Sequence, residues 1–536
     1  MVTRQTSTSI PPRGRAARWL WTSVVAAILA LSPLTRPALA ANSSDAVRAA
    51  ARFAHIQQDH TALRAFLARM PKGGDLHVHL SGAVYAERLI AWAKDDKLCV
   101  RGGDTIVDPP CDATNTVAVA DVLANQNNYD RLVNALSMRW FNPSSAVPSG
   151  HDQFFGTFGR FGAATEKRFV DMIVDQLDGY AADHVQYVEL MSTFLNWDER
   201  DRLIKALGTA TDPAAMLAAL QQGGLDDVVA AMTRRLADAT AKIDARLACG
   251  TPQAHPGCSV TYRHIAQINR VSSPSSVFVQ TAAAAALIRA GRRDPNSAAA
   301  SVVAFNFVAP EDNLVALRDY RAQMRTIRFL AGSDVPVSLH AGELWLGLVP
   351  PADLTFHIRD AVEVAGARRI GHGVSLAFEH DMDGLLAEMR QRHVAVEINL
   401  TSNDVILGVR GKDHPLPTYL AAGVPVVLST DDAGVSRINL TNEYFRAVRD
   451  YRLDYRTLKR IARNSLEFSF LSGADKEKML RQFDRAVAAF EHSFGKGRTQ
   501  SPSARRERTR MRPAAAVARR PIEPRERPAT SHNGSP

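Results

Sequence analysis

The chain has 536 residues, 46% of them apolar, which is ample for one large α/β domain with insertions or for two or three smaller domains. Its formal charge of +10 sits at the ends: residues 1–40 carry +5 and residues 496–536 carry +8, leaving −3 on the body between them. A mildly acidic body gives no reason to expect a nucleic-acid partner.

In chain order, the first predicted element is an export signal. Arginines up to Arg18 precede an apolar run from Trp19 to Leu34, and the small residues Ala38 and Ala40 predict cleavage after Ala40. The run is short for a bilayer span, so no stable membrane insertion is expected after cleavage, and the mature chain is expected to be secreted or periplasmic. Cysteine usage suits that compartment. Cys99 and Cys111 bracket one turn-rich loop and Cys249 and Cys258 another, the spacing of two local disulfides, although four cysteines allow three pairings. Neither pair has the C-x-x-C spacing of a zinc or redox motif.

Eight short apolar runs rich in β-branched residues follow one another, at 74–80, 184–191, 260–268, 301–309, 335–343, 368–376, 394–402 and 424–432. Between several of them lie stretches of helical period; Ile358, Ala361, Val362 and Ala365, for example, recur at i, i+3, i+4 and i+7. Strands alternating with helices predict an α/β fold, a (β/α)8 TIM barrel with insertions, with a doubly wound sheet as the alternative. Residues 203–259 read as an insertion. From residue 496 the chain mixes Pro, Ser, Ala and Arg without amphipathic period, the composition of a disordered basic tail. The expected organisation is a signal peptide at 1–40, a barrel domain at 41–495 and the tail at 496–536.

A barrel of this kind gathers its chemistry at the C-terminal ends of its strands. His77 and His79 end the first run and, two residues apart, share one face of a strand. The fifth run ends in His340 and Glu343, the sixth in His372 between two glycines, and the eighth in Asp431 and Asp432. Taken singly, each has an ordinary structural use: a satisfied core histidine, a helix N-terminal carboxylate for Glu343, an N-cap for Asp432. Taken together, three imidazoles and a carboxylate can hold one Zn²⁺ with a coordination position to spare. Glu343 could then protonate a ring under attack, and His372 could take or position a proton of the water.

The segments "GDLHVHLSGA", "SLHAGE", "RIGHGVSL" and "LSTDDAG", in this order, resemble the four signature segments of the metal-dependent adenosine deaminases of the amidohydrolase superfamily. The resemblance covers roughly residues 65–490 and implies a (β/α)8 barrel that releases ammonia hydrolytically from C6 of adenosine or 2′-deoxyadenosine, a small-molecule purine nucleoside. It implies one Zn²⁺ on His77, His79, His340 and Asp431. Glu343 would protonate purine N1, His372 would orient and activate the water, and Asp432 would accept a hydrogen bond at N7. His79 would also contact the substrate, Ser81 would face the sugar, and the Ala309 N–H would face N3.

Two positions depart from the family pattern. Ser81 stands where an aspartate serves the ribose 5′-hydroxyl, and a hydroxyl carries no charge. Ala309 stands where the family often has glycine. These departures leave open another 6-aminopurine, such as adenine or a 5′-modified adenosine, as substrate. A catalytically silent nucleoside-binding protein is a further alternative, although such a protein would need neither Glu343 nor His372. The signal, cysteines and insertions resemble the secreted, growth-factor-related branch of the family.

Overall fold

The computed structural model describes residues 36–112 and 114–495. The expected tail lies outside the described residues, as does the export segment up to residue 35; helix α1 (Arg36–Ile56) crosses the expected cleavage point at Ala40. No helix among the described residues is long and apolar enough to cross a membrane.

All eight predicted runs form strands. They are β1 (Gly74–His79), β2 (Tyr187–Ser192), β3 (Thr261–Asn269), β4 (Val302–Val308), β5 (Ser338–Ala341), β6 (Arg369–His372), β7 (Ala395–Ile398) and β8 (Val426–Leu428). β2 and β3 end one residue beyond their runs, whereas in β1 and in β4 to β8 the last residues of the run leave the ladder, and at β1, β5, β6 and β8 those strand ends carry the site. β1 to β4 pair in order as one parallel sheet and β5 to β8 as another. Single parallel bridges, Phe305 to Val337 and Val78 to Asp431, join the two sheets at both edges. The eight strands therefore close into a ring in chain order, the topology of the predicted barrel.

The connections explain why the ring is stable. A crossover between parallel strands needs a helix whose apolar face returns to the sheet. α2 (His60–Arg69) enters β1, capped by Asp59, whose side chain accepts from the Thr61 and Ala62 N–H groups at 3.0 Å each. α3 (Phe169–Ala182) buries Ile173, Leu177 and Tyr180 ahead of β2.

The predicted insertion at 203–259 needs correction. Its second half is α4 (Leu225–Leu247), which buries Val228, Met232, Leu236 and Ile243 and is the crossover helix from β2 to β3. The additional material is confined to two shorter helices before it, Trp197–Ala206 and Pro213–Gln222. The composition misleads because α4 exposes a mixed set of charges, among them Asp226, Asp227, Arg234, Arg235, Asp238 and Lys242.

Between β1 and β2 lies a three-stranded antiparallel sheet (Cys99–Arg101, Thr105–Val107, Thr116–Ala118). The Cys99–Cys111 disulfide ties it, and Cys249–Cys258 ties the turn after α4 to the entry of β3. Closing loops of 12 and 9 residues adds on the order of 2–3 kcal/mol each in the chain-entropy view. No free cysteine remains among the described residues. The predicted face Ile358, Ala361, Val362 and Ala365 is buried as expected, although the backbone over Ala361–Ala365 widens into a π-helical turn.

Candidate functional site

The ring brings the predicted ligands to one point. One nitrogen each of His77, His79 and His340 and an Asp431 oxygen all lie within 4.8 Å of one another, as do one atom each of Glu343, His372 and Asp431. His77 Nε2 is 3.1 Å from His340 Nε2, His79 Nε2 is 3.2 Å from His340 Nε2, and Asp431 Oδ1 is 3.4 and 3.3 Å from the Nε2 atoms of His77 and His79. Donors 2.0–2.1 Å from one Zn²⁺ stand roughly 3.3 Å apart in a tetrahedral arrangement, so the spacing suits a metal of that size.

The outer nitrogens show which atoms face the centre. His77 Nδ1 donates to Glu397 Oε2 at 2.6 Å. Asn306 Oδ1 accepts the His340 backbone N–H at 3.1 Å, which fixes it as an acceptor, so His340 Nδ1 donates to the same oxygen at 2.8 Å. Both rings therefore turn Nε2 inward, the usual arrangement of a metal-ligating histidine with an anchored second nitrogen. Asp431 Oδ1 is buried without a hydrogen-bond partner. Inward lone pairs and a partnerless carboxylate oxygen need a positive charge between them, and the residues fit a bound cation. Without a metal a proton serves: burial alone would lower the pKa of His77, but Asp431 and Glu397 on its two nitrogens raise it to about 10. Burial lowers His79 to about 4 and holds His340 well below the usual histidine range.

Sequence reasoning missed what anchors this centre. Glu397, in the middle of β7, also accepts from Ser338 Oγ at 2.9 Å and from Arg369 Nε. Arg369 reaches on to Glu189 of β2 at 2.5 Å and lies over the Phe470 ring. Glu397, Glu189 and Arg369 are fully buried, and with Arg369 and His77 beside it Glu397 falls to about 2 despite burial. The available signal was a carboxylate inside each of two otherwise apolar strands.

The residues expected to do acid–base work stand on the same rim. Glu343 is buried beyond β5, and its own N–H and that of Gly342 donate to Glu311 at 2.8 and 3.2 Å. His357 Nδ1 donates to Glu311 at 2.5 Å from the other side, so a buried pair holds the turn that carries Glu343. Burial, with Asp431 and Glu311 nearby, pushes the Glu343 carboxyl well above the usual range. Burial and Asp431 do the same for Asp432. Asp432 occupies an N-cap position yet makes no cap hydrogen bond; its side chain packs on Gly82, where a Cβ would lie 1.7 Å from Oδ1. His372 is buried and lowered to about 3, with Nδ1 3.4 Å from Glu343 Oε1 and Nε2 4.0 Å from Asp431 Oδ2.

Ser81 lies partly buried in the turn after β1, and Ala309 at the end of β4. Ala309, His372 and Asp431 all have positive φ, +84°, +69° and +59°. Left-handed backbone in non-glycine residues at strand ends is strain of the kind that clusters at functional sites.

Comparison with known proteins agrees with this geometry. The family model described as adenosine deaminase matches residues 225–486, from the start of α4 through β8. This stretch, a little under half of the chain, is similar to the adenosine deaminase family. The matched stretch holds His340, Glu343, His372, Asp431 and Asp432, while His77 and His79 precede it and join the site through the ring closure.

An adenosine deaminase of Clostridium perfringens (strain 13 / Type A) is 37% identical over 148 residues, 27% of this chain and 41% of its own length. An aminodeoxyfutalosine deaminase of Streptomyces coelicolor is 38% identical over 125 residues, 23% of this chain and 32% of its own length. The matches thus span about two fifths of the one relative and a third of the other. The apo structure of the N6-methyl-AMP deaminase from Arabidopsis thaliana superposes with a TM-score of 0.50 at 18% identity, covering 80% of this chain and 99% of that one, a likeness of fold.

Proposed function

We propose that the protein is a zinc-dependent hydrolase that releases ammonia from C6 of adenosine or 2′-deoxyadenosine. The supporting observation is the convergence of three inward imidazoles and Asp431 with two carboxyls, Glu343 and Asp432, whose surroundings favour the protonated acid. His77, His79, His340 and Asp431 would hold one Zn²⁺, whose Lewis acidity makes water nucleophilic near neutral pH. Glu343, held as an acid by burial, delivers a proton to ring N1 as C6 is attacked. His372 positions the attacking water. Asp432 reverses the direction expected from the sequence: N7 of a neutral purine only accepts, so the raised carboxyl donates to it. Ser81 and the Ala309 N–H stand at strand ends where sugar and ring edge would lie.

A second reading, a 5′-modified adenosine as substrate, is favoured by one observation. A cavity of about 630 Å³ opens at the ends of β2 to β4, lined by Phe194, Trp197, Arg200, Arg235, Gln267 and Asn269 among others. Gln267, part of this lining, neighbours His79, so the cavity adjoins the metal group. Arg235 is paired with Glu199 at 2.7 Å and Arg200 with Asp201 at 2.8 Å, so the lining suits an uncharged substituent better than a phosphate.

We also propose an exported protein, signal 1–40, barrel domain 41–495 and tail 496–536; two disulfides and no free thiol among the described residues support an oxidising compartment.

The test is ammonia release from adenosine, 2′-deoxyadenosine, adenine, AMP and 5′-methylthioadenosine, before and after chelation. Chelator-sensitive turnover of a nucleoside, reduced at least 10²-fold by Glu343→Gln, is expected. Silence of the zinc-loaded protein toward every compound would overturn the proposal in favour of nucleoside binding without catalysis.

A further inference from the structure

We infer that Asn403 and His414 fix the tautomer of His372, so that its Nε2 carries the proton and the ring enters the reaction as a hydrogen-bond donor and not as a base. The catalytic consequence rests on the deamination reading; the tautomer itself does not.

The chain of hydrogen bonds starts from a group whose role cannot change. The backbone N–H of Leu416 donates to His414 Nδ1 at 3.1 Å. A ring nitrogen that accepts bears no proton, so His414 is neutral and carries its proton on Nε2. That nitrogen donates to Asn403 Oδ1 at 3.0 Å. The amide is thereby oriented without recourse to its electron count: oxygen toward His414, nitrogen toward His372. Asn403 Nδ2 lies 2.9 Å from His372 Nδ1. An NH₂ group only donates, so His372 Nδ1 accepts, the ring is not an imidazolium, and its single proton is on Nε2.

The other neighbours leave this assignment standing. Glu343 Oε1 is 3.4 Å from Nδ1, farther than the amide. Asn399 Nδ2 is 3.4 and 3.3 Å from the two ring nitrogens, longer than the 2.9 Å of Asn403 and nearly equal, so it favours neither tautomer. Nε2 faces Asp431 Oδ2 at 4.0 Å, on the metal-group side. His372 and Asn403 are fully buried and His414 is 2% exposed, so bulk water does not break the relay. The relay specifies how His372 positions the water, through an N–H that holds the water's oxygen; with no lone pair there the ring does not take the water's proton, which leaves on the amino group as ammonia.

The test reads the ring directly. In zinc-loaded full-length protein with ¹⁵N-histidine, the long-range ¹H–¹⁵N spectrum of His372, assigned by its loss in His372→Gln, is expected to show a protonated Nε2 and a bare Nδ1. An Nδ1–H tautomer or an imidazolium near neutral pH overturns the inference. Asn403→Asp is nearly isosteric but can only accept from both neighbours, and is expected to draw the His372 proton to Nδ1. Its kcat should fall about 10³–10⁴-fold with KM little changed, the scale of a wrong-tautomer histidine in serine proteases. An Asn403→Asp protein with unchanged tautomer and kcat also overturns it. If wild-type protein deaminates nothing, the deamination reading fails while the ring spectrum still decides the tautomer.

Discussion

Replacing Glu397 with glutamine removes one charge and almost no volume, so it isolates what the buried carboxylate does. Its pKa falls from 4.5 to about 2 in the folded chain. That difference corresponds to about 3 kcal/mol of stability, present above pH 4.5 and lost as pH falls toward 2. Breaking a buried charge pair from one side costs about 3–5 kcal/mol, and here Arg369 would keep only Glu189. A second effect reaches the metal group. Glu397 uses Oε1 for Arg369 and Ser338 and Oε2 for His77. Glutamine has one oxygen; placed toward Arg369, it turns its NH₂ against His77 Nδ1 and forces the ring proton onto the inward nitrogen. Urea unfolding of the chelated protein near pH 7 should show a loss of about 3 kcal/mol, and chelator competition a 10- to 100-fold weaker metal affinity. A variant within about 1 kcal/mol of wild type that binds metal equally well would refute the assignment of Glu397 as the anchor of His77.

Metal binding should release a proton: with His77 raised to about 10 and His79 lowered to about 4, one ligand is protonated at neutral pH, so apparent affinity should rise about tenfold per pH unit from 6 to 9. Acidification adds the proton back and weakens binding; a flat affinity over that range contradicts the assignment. Ala309→Gly relieves a φ of +84° and should raise unfolding free energy by roughly 0.5–1 kcal/mol after the entropy of glycine is counted. A loss of stability in urea would show that the methyl is needed. Gly82→Ala places a Cβ 1.7 Å from Asp432 Oδ1. Metal content measured by mass spectrometry should be retained while ammonia release falls more than about 10²-fold; full activity would remove Asp432 from the ring-binding role.

The strand runs and the residues at their ends were legible because a parallel strand buried on both faces reads as a continuous apolar run, and the site residues interrupt such runs with imidazole or carboxylate. Glu189 and Glu397 were not legible as anchors: one acid in a short strand has the same pattern as a residue facing solvent, and only ring closure puts it beneath His77. The relay from Leu416 to His372 was hidden for a different reason. His414 lies 42 residues from His372 and outside any strand, so no local period connects them. The length of α4 was missed because charge on its outer face dilutes the apolar face it turns to the barrel.

The ring is fastened between its first and last strands by very little backbone: Val78 and Asp431 form a single bridge there, with the Asp431 N–H donating to His77 O at 2.9 Å and the His79 N–H to Asp431 O at 3.1 Å. Two of the candidate ligands stand on one side of this join and a third on the other. A metal held there is a clasp across the barrel's seam, tying the N-terminal strand to the C-terminal one. Ligand binding to the folded state alone stabilises it in proportion to the logarithm of free concentration over Kd. Occupancy and the endurance of the fold therefore rise and fall together, and surroundings poor in metal would weaken the barrel at this seam.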